Sequence, residues 1–431
     1  MKLFQHMLVA CAAVSLIAPI SASASDFDIE GMNSYKRSKP SSKSKKRFDS
    51  KSFTNKLATS EKDVEAQQSF KSIEAGMFST TTAMDGKVIG WIGGIEGVDQ
   101  IDTDEDGSLA DEATEAVQGG YTATMNLNTS FTGDDNLYIR LKGGETGNAW
   151  KGKPATYHIS TKDTGDSFNV DKIWYTFPIG DQITAYAGPR IENYYMYITP
   201  SIYKPGALKA FKLGGNSNFG ASTDGGFGLK WEHPSGWGIA SNVVDKDGDG
   251  QGFFQKTSTN KWDTQVAYTQ PNYHLSLTLS DAQRWSSQSY NATALGENTA
   301  EDSTGWAARG YWIPESSAIP EVTVGYDWKH FEKGAIGSVK KATSYMFGLT
   351  WKDIIQADDK IGFAFTKPLA AVSLVGGGDT GEVNGPYLWE LYYSFKQNDS
   401  MTITPAVFAG KDVWQEEDNI FGVVVTSALK F

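Results

Sequence analysis

Cysteine is almost missing from this 431-residue chain, and so are long apolar runs. The single cysteine, Cys11, lies in the opening stretch MKLFQHMLVACAAVSLIAPISASAS. Lys2 precedes an apolar core that runs to Ile20, and Ala22 and Ala24 stand as an A-x-A cleavage site, so residues 1–24 read as a secretory signal. LVAC also resembles a lipoprotein site, but the apolar core continues past Cys11, which argues for ordinary cleavage. With the signal removed, no disulfide and no thiol chemistry is expected, although the chain is exported. No other run approaches the roughly 20 apolar residues that a membrane helix needs. A hydrophobic fraction of 39 % also excludes a bundle of such helices.

Histidine is scarce as well. Beyond the signal there are His158, His233, His274 and His330, scattered along the chain, with no G-x-S-x-G and no His pair at metal spacing. Catalysis is therefore not expected, and neither is a nucleic-acid partner. Two acidic stretches, DTDEDGSLADEA and DKDGDGQGFFQK, reproduce the D-x-D-x-D-G opening of a calcium loop through Asp102, Asp104 and Asp106, and through Asp245, Asp247 and Asp249. Ala113 and Lys256 stand where the closing Glu belongs, and Asp and Gly are also ordinary turn residues. No cofactor is expected beyond Ca²⁺ held in these loops.

What the chain does have is uneven charge. The formal balance is −12, yet residues 36–56 hold nine Lys or Arg against one Asp, a local +8 that leaves about −20 elsewhere. Residues 25–76 are too polar to bury a core, apart from a short helix expected from Val64, Phe70, Ile73 and Met77. The basic stretch reads either as a solvated linker or as a tether to an anionic partner such as the cell wall.

From Lys87 onward the apolar period becomes two. DNLYIRLKGG sets Leu137, Ile139 and Leu141 against Tyr138, Arg140 and Lys142, and YHLSLTLSD alternates in the same way. Sixteen strands are expected, near 86–94, 119–131, 135–144, 167–178, 181–190, 223–234, 236–245, 261–270, 273–281, 304–313, 320–331, 341–352, 359–367, 386–396, 399–410 and 418–431. Short turns such as TGDDN, IGDQ and HPSGW leave the even strands, and mostly long links leave the odd ones. That asymmetry is the habit of outer-membrane β-barrels. Trp91, Trp174, Trp231, Trp237, Trp262, Trp328, Trp351 and Trp389 fall near strand ends, as interfacial girdles require and a soluble sandwich does not. The alternation that ends at Phe431 places the last strand beside the first in a closed antiparallel transmembrane barrel, residues 77–431, with both ends on the periplasmic side.

Specific words in the sequence carry a family likeness. FSTTTAMDGKVIGW, VDKIWYTFPIGDQITAYAGPRIEN, SYMFGLTWKD with DDKIGFAFTKP, PYLWELYYSFKQNDSMTITPAVFAG and FGVVVTSALKF resemble the carbohydrate-selective (OprB-like) porins in their cyanobacterial form, over about residues 77–431. The resemblance implies a sixteen-stranded, trimeric porin in lipopolysaccharide-containing outer membrane, in a family whose members are labelled carbohydrate or iron-uptake porins. It also implies an S-layer-homology domain before the barrel, and here the basic segment stands in its place. Cationic adhesion to peptidoglycan or a wall polymer is the substitute expected.

With the apolar register outward, Arg140, Lys142, Arg190 and Lys230 are expected to face the lumen as a cationic cluster. Glu232, Asp263, Asp327 and Glu390 are expected to face inward around the rest of the wall. Segment 191–222, rich in Tyr and Lys, is either an inward constriction loop or an outward loop at a subunit contact. Clustered cations at a narrow point predict a weak preference for anions. A pore of that kind passes small polar solutes and inorganic ions.

Overall fold

A computed structural model describes residues 81–97, 116–146, 150, 158–198, 201–215, 223–246, 252–285, 302–332, 334–378, 387–411 and 419–431. The signal, the basic segment and the short helix expected before residue 77 lie outside these residues, as do Asp102, Asp104, Asp106, Asp247 and Asp249.

All sixteen expected strands are present: β1 (Thr82–Glu96), β2 (Gln118–Thr129), β3 (Asn136–Thr146), β4 (Asn169–Ile179), β5 (Ile183–Ile191), β6 (Asp224–Glu232), β7 (Trp237–Asp245), β8 (Asn260–Gln270), β9 (Tyr273–Gln283), β10 (Asp302–Trp312), β11 (Glu321–Glu332), β12 (Val339–Lys352), β13 (Lys360–Leu374), β14 (Tyr387–Asn398), β15 (Met401–Lys411) and β16 (Ile420–Lys430). Each pairs antiparallel with its chain neighbours, and β16 pairs with β1, so the sheet closes without an edge. Gly86 and Phe431 exchange both backbone hydrogen bonds, at 2.8 and 3.0 Å. Thr82 and Phe431 lie at the short-turn end of the barrel.

Alternation sorts the side chains as a membrane wall demands. On β9 Leu275, Leu277 and Leu279 are exposed outside, while His274, Ser276, Thr278 and Ser280 are buried within. Trp237, Trp262, Val324, Tyr326, Tyr345 and Phe347 continue the outer apolar band. Trp91 and Trp174 depart from the expected girdle. They sit on the inward registers of β1 and β4 and are buried in the lumen, Trp91 against Trp150 and His158, Trp174 against Tyr138 and Tyr195.

Those inward aromatics are covered because the link after β5 turns into the barrel. Residues 192–198, with a 3₁₀ turn at Asn193–Met196, pack on the neighbouring β6–β8 wall, and residues 201–215, with one at Lys209–Gly214, pack across the lumen on β11–β14. Glycines on both walls make room for them. A Cβ on Gly238 would stand 2.4 Å from Ile198, one on Gly348 2.7 Å from Tyr203, and one on Gly325 1.9 Å from the Gly214 carbonyl oxygen. The link after β3 also folds in: His158 forms an antiparallel bridge with Leu208, and the Ile159 amide donates to the Ala207 carbonyl at 2.7 Å.

Candidate functional site: the lumen constriction

The inner segment is fastened by side chains that the alternating register turns inward. Glu390 on β14 is fully buried and accepts four hydrogen bonds from it: Oε1 from the Tyr203 hydroxyl (2.8 Å) and the Gly206 amide (3.0 Å), Oε2 from the Ala207 and Leu208 amides (3.1 Å each). On β10, Arg309 donates to the Leu213 carbonyl through Nε and grips Asp327 of β11 through Nη2, at 3.0 and 2.8 Å. On β8, Asp263 accepts from Asn193 and Gln265 accepts from the Ile198 amide. Of the four carboxylates expected to line the pore, Asp263, Asp327 and Glu390 do point inward, but they are buried: Asp263 and Glu390 bond the segment directly, and Asp327 holds Arg309, which bonds it. That is a correction to their expected role. A carboxylate out of water needs several donors, and backbone amides of an incoming chain supply them.

Glu232 stays exposed and pairs with Lys230 of the same strand at 3.0 Å. Lys230 is buried and faces inward as expected, yet this contact neutralises it. Arg190 is the second correction. A bulge lies between β4 and β5 at this point, and the ladder places Arg190 opposite Ile173, whose side chain is on the face away from the inward Trp174. One extra residue reverses the face of everything beyond it. Arg190 is therefore exposed on the outer surface, its Nε 3.4 Å from the Asp171 carbonyl oxygen.

Arg140 and Lys142 do face the lumen, since their ladder partners Asn126 and Thr124 are inward. Around them the structure gathers four cations that sequence reasoning did not select. Lys172 shares the inward face of β4 with Trp174, and Lys162, Lys209 and Lys212 come from the two infolded links. Lys172 was readable from the alternation in VDKIWYTF. The loop lysines carry no periodic signal. Among the described residues, Glu192 takes Lys172 at 2.9 Å, and Asp171 takes Lys162 at 3.1 Å and Lys172 at 3.9 Å. Arg140 reaches the Tyr195 hydroxyl from Nη1 (3.3 Å) and Asn126 from Nε (3.0 Å).

Aromatic rings line the same rim. Tyr138, Trp174, Tyr195 and Tyr194 follow one another at centroid distances of 4.3, 4.7 and 4.6 Å, with Lys172 above Tyr195 and Lys212 above Tyr194. The electrostatics follow from crowding. Burial pushes the Lys209 ammonium down to about 7, and Lys212 adds to this while Glu192 opposes it. Burial alone would raise the Glu192 carboxyl, but Lys172 and Lys212 beside it hold it below its ordinary value. Burial also takes His158 down to about 3, so it is a neutral packing ring between two tryptophans.

Of the six candidate aspartates in the two acidic stretches, Asp245 is among the described residues. Asp245 is buried, and its Oδ2 accepts from the Phe254 amide and the Ser258 hydroxyl, the partners of a structural turn. Among the described residues no group of three His, Cys, Asp or Glu is placed to hold a metal.

No protein-family profile matches the chain. An uncharacterized protein, sll0772, of Synechocystis sp. is 23 % identical over 390 residues, spanning 81 % of this chain and 68 % of its own length. Among solved structures, OprB of Pseudomonas putida at high pH aligns with a TM-score of 0.55 at 10 % identity, over 81 % of this chain and 94 % of that one. The anion-selective porin of Comamonas acidovorans aligns at 0.53 and 11 %, over 81 % and 99 %. A loop-deleted OmpT, an outer-membrane protein of Vibrio cholerae, aligns at 0.51 and 10 %, over 81 % and 99 %. At such identities the likeness is one of fold: this chain has the sixteen-stranded barrel of bacterial outer-membrane porins.

Proposed function

We propose that the protein is a diffusion channel of the outer membrane, not an enzyme, admitting inorganic ions and small polar solutes with a weak preference for anions. The observation that carries this reading is the cationic rim formed where the inner segment meets the β3–β4 wall. Arg140, Lys142, Lys209 and Lys212 are only half-buried there, whereas the inward carboxylates of the opposite wall are covered. At a narrow passage nearby charge decides, because screening over about 8–10 Å hides charge farther off. The test is the reversal potential of the reconstituted channel in a KCl gradient. A sign showing anion preference, reduced in K209A/K212A, supports the reading; cation preference in the wild type overturns it.

A second reading is favoured by the half-exposed rings of Tyr194 and Tyr195, which offer flat apolar faces beside hydrogen-bonding groups, the surface on which a sugar ring packs. Swelling of proteoliposomes in glucose, slowed by Y194A/Y195A, would support carbohydrate passage. The resemblance to porins adds a homotrimer in contact with lipopolysaccharide, exported by residues 1–24. It also leaves residues 36–56 as a tether to peptidoglycan or a wall polymer. Retention on sacculi at low salt but not at high salt is the expected outcome for that tether.

A further inference from the structure

We propose that Glu390 is an acid-sensitive latch: taking up one proton lets residues 203–208 leave the β14 wall and widens the passage. The diffusion-channel reading needs only a constriction of fixed size, and this goes beyond it by making that size depend on pH.

The latch is set in an apolar wall. Glu390 faces Ala364 of β13 and Phe408 of β15 across the ladder, with Leu388 and Tyr392 on either side along β14. All four belong to the buried cluster that receives Tyr203, Ala207, Leu208 and Phe211. Among the described residues the bonds to Glu390 come from the Tyr203 hydroxyl and the Gly206, Ala207 and Leu208 amides, and not from a cation. The titratable groups about it are Tyr203 on the segment and Tyr392 on its own strand, their ring centroids 6.2 Å apart, with Glu321 of β11 on the same ladder row as Tyr392, and His158 bridged to Leu208. Lys204 and Lys209 flank the bonded residues in the chain. Four donors hold the charged form and apolar surroundings oppose it, so the balance rests on a single proton.

That proton undoes the arrangement. The carboxyl gains an O–H and gives up the negative charge that strengthens all four bonds. The Tyr203 hydroxyl can turn to accept the new donor, but the other three partners are backbone amides, which cannot reverse. The fit they depend on is close, since a Cβ on Gly206 would stand 2.4 Å from the Tyr392 ring. Once the segment loosens, water and ions enter between it and the wall, and conductance rises.

The experiment records single-channel conductance of the full-length protein in KCl from about pH 8 down to about pH 4, a span that brackets the ordinary carboxyl range and extends above it. The expected result is one reversible upward step on the acid side, ending at the conductance of Glu390→Gln, the isostere of the neutral carboxyl, which should show no step. Tyr203→Phe removes one donor from the charged form and should move the step to higher pH. Infrared difference spectra between the two ends of the titration should show a buried carboxyl taking up a proton, a signal absent in Glu390→Gln. Heat-modifiable mobility checks that each variant has folded. A wild-type conductance that is flat or falls in acid, a step that survives in Glu390→Gln, or a carboxyl that protonates without a change in conductance overturns the latch. In each of those cases a conducting wild type leaves the channel reading intact.

Discussion

The two sides of the lumen use the same kinds of residue for opposite ends. On β8, β10, β11 and β14, Asp263, Gln265, Arg309, Asp327 and Glu390 are buried; hydrogen bonds of Asp263, Gln265, Arg309 and Glu390 fasten the infolded segment, and Asp327 holds Arg309 in place. On β2 to β4, Asn126, Arg140 and Lys142 remain partly open, and the segment presents Tyr194, Tyr195, Lys209 and Lys212 to them. An inward charge is thus a pin or a filter according to whether the incoming chain covers it. Composition cannot show the difference. The net −12 of the chain would suggest a cation channel, but the inward acids are largely spent on holding the constriction in place.

The sharpest way to break this contrast is to remove the pin. Glu390→Ala deletes the acceptor for four donors, three of them backbone amides of the segment, so the segment should leave the far wall. Single-channel conductance is expected to rise several-fold, with the barrel still heat-modifiable. Glu390→Gln, which keeps one acceptor oxygen but turns an amide toward the donors, should fall between. An unchanged conductance in Glu390→Ala would mean that the packing of Tyr203, Leu208 and Phe211 holds the segment alone.

Next in size is the buried pair. Arg309→Ala leaves Asp327 charged and covered, a loss of about 3–5 kcal/mol for a buried pair broken on one side. The expected readout is a lower urea midpoint for unfolding from lipid vesicles. Replacing both partners with apolar residues should recover much of that loss, because the uncompensated charge has gone. If the single variant matched the wild type, water must reach Asp327 and the wall is not dry there.

On the open side the effect is smaller and follows pH. Lys209 is protonated below about 7, so anion preference in a KCl gradient should be greatest in mild acid and decline as the pH passes 7. The shift of reversal potential between about pH 6 and about pH 8.5 should shrink in K209R. A preference that strengthened with rising pH would place the decisive titrating group elsewhere.

How much of this was legible beforehand varied with the range of the signal. Strand number, order and outer face were readable, since period two and the contrast of short and long links are local. The inner segment could be picked out by its length and its Tyr and Lys content, but not seated. Its seat depends on Glu390, nearly two hundred residues away, and on glycines at 238, 325 and 348 that read only as ordinary sheet residues. Trp91 and Trp174 were misassigned because a tryptophan near a strand end looks the same whether it faces lipid or an infolded loop.

Arg190 sets the smallest expected effect, and it tests the register itself. Strict alternation from Tyr186 would carry position 190 inward, yet the bulge brings Ile191, not Arg190, into the buried cluster with Met196 and Val244. The guanidinium is left outside the wall, its Nε 3.4 Å from the Asp171 carbonyl oxygen. Charge on the outer surface is separated from the passage by the sheet and screened by salt. Arg190→Ala should therefore leave the reversal potential at the wild-type value, while K209A/K212A moves it. A shift in Arg190→Ala as large as that of the lysine pair would show that the side chain reaches the lumen. The bulge would then not turn the strand, and the cationic cluster would extend to β5.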